Sequence, residues 1–484
     1  MNIDNFTIKG VQDALRKGDF SVLELASEYL ARIKKYNQEF NVFVNVPEDE
    51  ILKQAANLDK RPDKSGLLFG VPTALKDVFS TKGIDTTACS NILKGYKPPF
   101  DAPVVKKLYD AGSFLIGKAN TDEFTCGASS ETSCFGPTRN PYNPEYVAGG
   151  SSGGSAASIP LNLAVYAMAT DTGGSIRQPA SFCNAVGLKV TYGLVSRSGV
   201  ISMASSLDTI GHMTKTVEDA AIVLQVTAGT DRSDSTMPKF QVPNYLEYLD
   251  KGVKGLRIGV PKEYFGEGVE DEVREIVLNG IKVLEAKGAI VKEVSLPYTK
   301  YGVAVYYIVA PSEISANMAR FDGIRFGLKA SEEPSNILDQ FLNTRGEGFG
   351  DEMKRRIMVG TYALSSGYYD AYYLKAQKVR TLIIQDFENV FKEVDVLCAP
   401  VSPTPSFKVG EKASDPVAMY LADALTIPSN CAGLPGISVP AGFTQNGLPV
   451  GMQILAPQFQ EGLLFQVGNA YEKETEFWKK VPLK

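Results

Sequence analysis

The 484-residue sequence sets 50 Lys and Arg against 55 Asp and Glu, a net charge of −5, and is 44% hydrophobic and 10% aromatic. That balance excludes a disordered or fibrous chain, and the slight acidity argues against a surface built mainly to hold nucleic acid or an anionic membrane. Only one histidine, His212, is present, so neither a site of several His ligands nor two-His acid–base chemistry can be assembled within the chain.

Ser21-Val-Leu-Glu24 reads as a capping box, and Val22, Leu25, Ala26, Tyr29, Leu30 and Ile33 repeat at helical spacing, which predicts an amphipathic helix over 22–36. The apolar run 67–71 reads as a buried strand. A helix over 103–111 closes at Gly112, and a strand follows at 114–116. The same rhythm returns as a strand at 256–260, a helix over 270–286 and a strand at 289–294. Residues 311–393 read as mainly helical, with long segments at 351–362 and 368–391. Strands return at 394–397, 436–439 and 450–455. This pattern predicts an α/β fold, a sheet with helices on both faces, interrupted by a mainly helical insertion. Without repeats, low-complexity tracts or long linkers, one large domain is expected over 1–484. Its parts are a helical region at about 1–60, a core at about 65–215 and the helical part at about 311–393.

The six cysteines, Cys89, Cys126, Cys134, Cys183, Cys398 and Cys431, form no C-x-x-C pair, which favours buried or incidental thiols over a zinc or redox site. Met1-Asn-Ile-Asp-Asn5 is acidic and polar, unlike a secretory leader. No apolar run approaches the roughly 18 residues of a membrane span. The expectation is a cytoplasmic, soluble chain.

Two glycine–serine stretches carry the chemical signal: Ala148-Gly-Gly-Ser-Ser-Gly-Gly-Ser-Ala-Ala-Ser158 and Asp171-Thr-Gly-Gly-Ser-Ile-Arg-Gln-Pro179. Composition alone permits flexible surface loops. A phosphate cradle is a second reading, but the G-K-[ST] of a Walker loop and the spacing of a dinucleotide fingerprint are both missing. The third reading is a serine nucleophile, with the amides of Gly173, Gly174 and Ser175 converging on an oxyanion and Ser151 as a second hydroxyl. His212, in Thr-Ile-Gly-His-Met-Thr, has no acid beside it in sequence and reads as structural. Lys76, in Val71-Pro-Thr-Ala-Leu-Lys-Asp-Val78, is the remaining candidate base if burial lowers its pKa.

Together, Gly149-Gly-Ser-Ser-Gly-Gly-Ser155, Asp171-Thr-Gly-Gly-Ser-Ile-Arg-Gln-Pro-Ala180 and the upstream Val-Pro-Thr-Ala-Leu-Lys-Asp resemble the amidase signature family. The likeness extends over nearly the whole chain to the glutaminase branch that serves aspartyl/glutamyl-tRNA amidotransferases. Its further stretches include Ser130-Glu-Thr-Ser133, Arg355-Arg-Ile357 and Asn430-Cys-Ala-Gly-Leu-Pro-Gly-Ile-Ser-Val-Pro440.

The resemblance implies the amidase signature fold, a central mixed sheet covered by helices on both faces. It implies a Ser–cis-Ser–Lys triad of Ser175, Ser151 and Lys76, with a cis Gly150–Ser151 peptide and an oxyanion site at Thr172, Gly173 and Gly174. It also implies glutamine binding by Arg355, or Arg356 one residue on, by Asp423 and, at the pocket wall, by Tyr306. No cofactor or metal is implied in this chain. The implied partners are B and C subunits completing a heterotrimer, with ATP, Mg²⁺ and most tRNA contacts at the B subunit. Val190, His212 and Thr170 depart from the family pattern; none is a triad position. A stand-alone amidase acting on small or aryl amides and a catalytically silent scaffold are the alternatives.

Overall fold

The computed structural model describes residues 3–4 and 6–482; Met1, Asn2 and Asn5 of the polar N-terminal segment lie outside that range. Among the described residues, thirteen strands run in chain order: β1 (Phe43–Asn45), β2 (Pro72–Lys76), β3 (Phe114–Ala119), β4 (Arg139–Asn140), β5 (Asn143–Val147), β6 (Tyr166–Asp171), β7 (Val186–Lys189), β8 (Thr209–Thr214), β9 (Arg257–Pro261), β10 (Ile290–Val294), β11 (Val396–Pro400), β12 (Gly436–Phe443) and β13 (Pro449–Leu455). Strands β4 and β5 form a separate hairpin. The other eleven make one sheet in the order β1-β3-β2-β6-β8-β7-β12-β13-β11-β9-β10.

The sheet is mixed. Strands β3, β2 and β6 run parallel, as do β11, β9 and β10. The middle, from β6 through β8, β7, β12 and β13 to β11, is antiparallel throughout. Every residue of β2, β3, β6, β7, β8, β11 and β13 is buried. Strands covered on both faces lose the polar–apolar alternation of a half-exposed sheet.

The helix predicted over 22–36 is present as Val22–Phe40. Its capping box is intact and Val22, Leu25, Ala26, Tyr29, Leu30 and Ile33 are all buried. The helix Asp271–Ala286 and strands β9 and β10 fall within a residue or two of expectation. Two readings are corrected. The run 67–71, buried from Leu68 on with Leu67 exposed, folds as a turn, and the strand begins at Pro72. Gly66 and Gly70 account for this: a Cβ on Gly66 would stand 2.2 Å from the Ala111 carbonyl oxygen, and Gly70 has φ +72°. Such close approach and left-handed backbone suit a glycine turn. The helical layer begins not at Pro311 but at Gly302, with Pro311 inside the helix Gly302–Met318. Ile337–Gly348, Asp351–Ala363 and Lys375–Val390 complete that layer. Among the described residues, no helix is long and apolar enough to cross a membrane.

Candidate active site

Neither glycine–serine stretch is a surface loop. Residues 147–186 are all buried, and the short helices Gly153–Ser158 and Arg177–Phe182 start directly after the two serine turns. Glycine is required there by space. A Cβ on Gly150 would meet Asp122 Oδ2 at 2.2 Å and Ser129 N at 2.5 Å, and one on Gly173 would meet Tyr306 Cζ at 2.8 Å. The Gly150–Ser151 peptide is cis. Gln178 ties the two stretches together: its Oε1 accepts from Gly150 N at 3.0 Å, and its Nε2 donates to Ala128 O at 2.8 Å.

Lys76 is the last residue of β2 and is fully buried. Its Nζ donates to Ser151 Oγ at 2.7 Å, Ser152 Oγ at 2.8 Å and Thr170 Oγ1 at 2.9 Å. The parallel register of β2 on β6 pairs Leu75 with Met168, so Lys76 ends β2 near the end of β6 that carries Thr170. Three neutral hydroxyls surround the nitrogen. Burial therefore lowers its pKa to about 7, although Asp122 and Asp171 pull the other way.

Beyond β6 the chain bends through Thr172, Gly173 and Gly174 to Ser175. Among the described residues, the amides of Gly173, Gly174 and Ser175 donate to no protein acceptor. Gly174 has φ +146°, and a Cβ there would stand 2.1 Å from Thr426 Oγ1. Thr426 Oγ1 donates to Gly173 O at 2.7 Å. Below the bend, Asp171 pairs with Arg177, Nε to Oδ2 at 3.1 Å, both fully buried. Arg177 also donates to Ser429 Oγ at 2.7 Å and Gln453 Oε1 at 3.0 Å, and Asn430 Nδ2 donates to Asp171 Oδ1 at 2.8 Å. Burial pushes the Asp171 carboxyl up, but Arg177 outweighs it and the pKa falls below the usual value. This network clamps the loop that presents Ser175.

Tyr306 and Asp423 both flank the glycine bend. Tyr306 abuts Gly173, and Asp423 Oδ1 lies 3.1 Å from where a Gly174 Cβ would stand. That carboxylate oxygen is buried without a hydrogen-bond partner. Burial, then Asp171, pushes the Asp423 carboxyl well up, against Arg177 and Arg356. A buried unpaired acceptor of this kind calls for a donor.

The two candidate arginines divide. Arg355 has a side chain 48% exposed and pairs with Glu352, whereas Arg356 is 4% exposed. Arg356 Nε donates to Glu352 Oε1 at 2.8 Å, and its guanidinium carbon lies 5.1 Å from the Tyr307 ring centre and 5.2 Å from that of Tyr420. Both arginines line a cavity of about 280 Å³, together with Gly127, Ala128, Ser129 and Tyr420. The Gly127–Ser129 wall is the segment packed against Gly150. Arg356 thus faces the cavity from within and Arg355 sits at its rim. The helix Asp351–Ala363 buries Met353, Arg356, Gly360 and Ala363, a 3-4-3 spacing that marks Arg356, not Arg355, as the inward residue.

His212 lies in β8, paired with Met168 of β6 and Leu188 of β7. Its Nε2 is 2.9 Å from Ala220 O, and burial lowers its pKa to about 4, as suits a neutral strand residue. The contacts of Lys76 with Ser152 and Thr170, and the parts played by Gln178 and Glu352, escaped the sequence reading. The Ser151-Ser152 doublet and the Thr170 departure were the available signals.

Residues 24–465 match the Amidase family. The chain belongs to the amidase family. It is 51% identical over 483 residues to the A subunit of glutamyl-tRNA(Gln) amidotransferase from Oceanobacillus iheyensis, covering 100% of this chain and 99% of that one. It is 52% identical to the protein of the same name from a Geobacillus species, covering 100% of both. Among solved structures, the A subunit of the Thermotoga maritima glutamyl-tRNA(Gln) amidotransferase superposes with a TM-score of 0.82 at 42% identity, covering 98% of this chain and 95% of that chain. The peptide amidase of Stenotrophomonas maltophilia superposes at 0.81 with 29% identity, over 98% and 97% of the two chains. The mixed sheet with its helical cover is therefore the amidase fold.

Proposed function

We propose that this amidase hydrolyses glutamine with Ser175 as nucleophile and supplies the ammonia to a tRNA-dependent amidotransferase that makes Gln-tRNA(Gln), Asn-tRNA(Asn) or both. The observation that carries the reading is the buried Lys76 nitrogen, surrounded by neutral hydroxyls and 2.7 Å from Ser151 Oγ. The names of relatives that share about half their residues with the whole chain supply the biological setting.

The relay is the one that the amidase resemblance implies, and the Lys76–Ser151 hydrogen bond supports its first link. Neutral Lys76 accepts the Ser151 proton as Ser151 accepts that of Ser175, and Ser175 Oγ attacks the side-chain carboxamide carbon. The oxygen of the tetrahedral intermediate takes the unoccupied amides of the 172–175 bend; losing one such donor typically costs about 3 kcal/mol of barrier. Collapse breaks the C–N bond, and the proton held at Lys76 returns through Ser151 to the leaving nitrogen. Water then attacks the acyl-enzyme ester by the same relay, releasing glutamate and restoring Ser175.

Substrate recognition uses the cavity. Arg356 binds the α-carboxylate bidentately in place of Arg355. Asp423 takes the α-ammonium on its unpartnered oxygen, and the incoming positive charge favours the ionised carboxylate. Tyr306 closes the wall beside Gly173. ATP and Mg²⁺ belong to a partner B subunit, which also makes most tRNA contacts, and a small C subunit completes a cytoplasmic heterotrimer.

The test is ammonia release from glutamine by the chain purified with its partner subunits. Wild type is expected to turn over glutamine, and Ser175→Ala to lose that activity with an unchanged melting temperature. Strong turnover of simple aryl amides, with none of glutamine, would instead support a stand-alone amidase.

A further inference from the structure

Arg356 is held from three sides by residues without a role in the relay. Glu352 Oε1 accepts from Arg356 Nε at 2.8 Å and from Tyr420 Oη at 2.9 Å. The Tyr307 and Tyr420 rings stack with centres 3.8 Å apart and planes inclined by 18°, and the guanidinium carbon lies beside the stack, 5.1 and 5.2 Å from the two ring centres. Tyr307 in turn packs edge-on against Tyr306 at 5.0 Å, and Tyr306 touches the Gly173 position. An unbroken chain of contacts therefore runs from the proposed oxyanion bend to Glu352. Among the described residues, the terminal nitrogens of Arg356 make no hydrogen bond, although the side chain is buried and lines the cavity.

We propose that Glu352 is a positioning residue for substrate recognition: it fixes Arg356 through Nε, and Tyr420 through its hydroxyl, so that both terminal nitrogens of the guanidinium stay free for a carboxylate. A planar guanidinium offers its fork only when its rotation is fixed. Anchoring Nε on a carboxylate while a stacked ring pair packs alongside removes that freedom before the ligand arrives. Because Tyr420 lies in the last turn of the short helix Pro416–Leu421 and Glu352 in the first turn of the helix Asp351–Ala363, the same carboxylate joins two walls of the cavity. The selected property is the carboxylate end of the amide substrate, not the carboxamide.

This inference rests on the glutaminase reading above, and the experiment separates the two. With the chain assembled with its partners, hydrolysis of glutamine is compared with that of butanamide, which has an amide but no α-carboxylate. Glu352→Gln keeps the shape and removes the charge. It is expected to raise KM for glutamine about tenfold, leave kcat within about twofold, and leave butanamide hydrolysis unchanged; a tenfold change corresponds to about 1.4 kcal/mol. Tyr420→Phe, which removes only the shared hydroxyl, is expected to raise the same KM less, and Glu352→Asp to recover part of the loss. If wild type releases ammonia from glutamine and both Glu352→Gln and Tyr420→Phe keep its KM, the positioning role is overturned while the glutaminase reading stands. Equal losses on both amides with a lowered melting temperature would assign Glu352 a structural role and overturn it too. If wild type fails on glutamine, the parent reading is what falls.

Discussion

Lys76 Nζ lies 2.7 Å from Ser151 Oγ, with no carboxylate among its three hydrogen-bond partners. A salt-bridged lysine would stay charged and be useless as a base. One ringed by hydroxyls in a buried strand end loses much of its preference for the proton.

That arrangement sets a pH dependence. Lys76 must be neutral to accept a proton, and burial has brought its pKa to about 7. The rate kcat/KM for glutamine is therefore expected to fall about tenfold per pH unit below that value and to level off above it. Lys76→Ala is expected to lose most of the rate and the inflection with it. A pH–rate profile of the two proteins checks both.

The two arginines are predicted to behave differently. Arg356→Lys keeps the charge but loses the fork, and it is expected to raise KM for glutamine by about 10- to 100-fold, the range of about 1.5–3 kcal/mol for a charged hydrogen bond. Arg355→Ala is expected to change KM less than twofold. Steady-state kinetics on the pair decides which arginine recognises substrate.

Asp423→Asn keeps the size and removes the acceptor charge. KM for glutamine is expected to rise by about tenfold or more, while amides lacking an α-ammonium are unaffected. The same assay on glutamine and butanamide reads this out.

Gly174→Ala combines a backbone at φ +146° with a Cβ 2.1 Å from Thr426 Oγ1. We expect a stability loss on the order of 3 kcal/mol and loss of turnover, measured by denaturant unfolding alongside the glutaminase assay.

The buried Asp171–Arg177 pair is expected to matter more to the loop than to the chemistry. Arg177→Met leaves Asp171 buried without its counter-charge, with an expected loss of about 3–5 kcal/mol in unfolding free energy.

Legibility in the sequence followed the physical origin of each feature. The helix Val22–Phe40 was readable because capping and periodicity are local. The strands β6 and β8, Tyr-Ala-Met-Ala-Thr-Asp and Thr-Ile-Gly-His-Met-Thr, were not. Strand β8, buried on both faces and rich in small or polar residues, carries neither alternation nor a continuous apolar run, and β6 ends the apolar run 163–169, which periodicity alone does not separate from a helix. The run 67–71 misled because an apolar run alone does not distinguish strand from turn, and the constraint came from Ala111, more than 40 residues on. In the site, Lys76, Ser151 and Ser175 were legible as motif residues, whereas separating the inward Arg356 from the exposed Arg355 needed the buried face of one helix. Ser152, Gln178 and Glu352 became visible only through contacts between distant segments.

The central claim is that Ser175 attacks a glutamine carboxamide with Lys76 as the ultimate base. Its most direct test is covalent trapping: the chain, assembled with its partners, is incubated with an electrophilic glutamine analogue and mapped by peptide mass spectrometry. The account predicts a single adduct on Ser175, lost in Ser175→Ala and slowed in Lys76→Ala. An adduct on another residue, or undiminished labelling and glutamine turnover in Ser175→Ala, would contradict it.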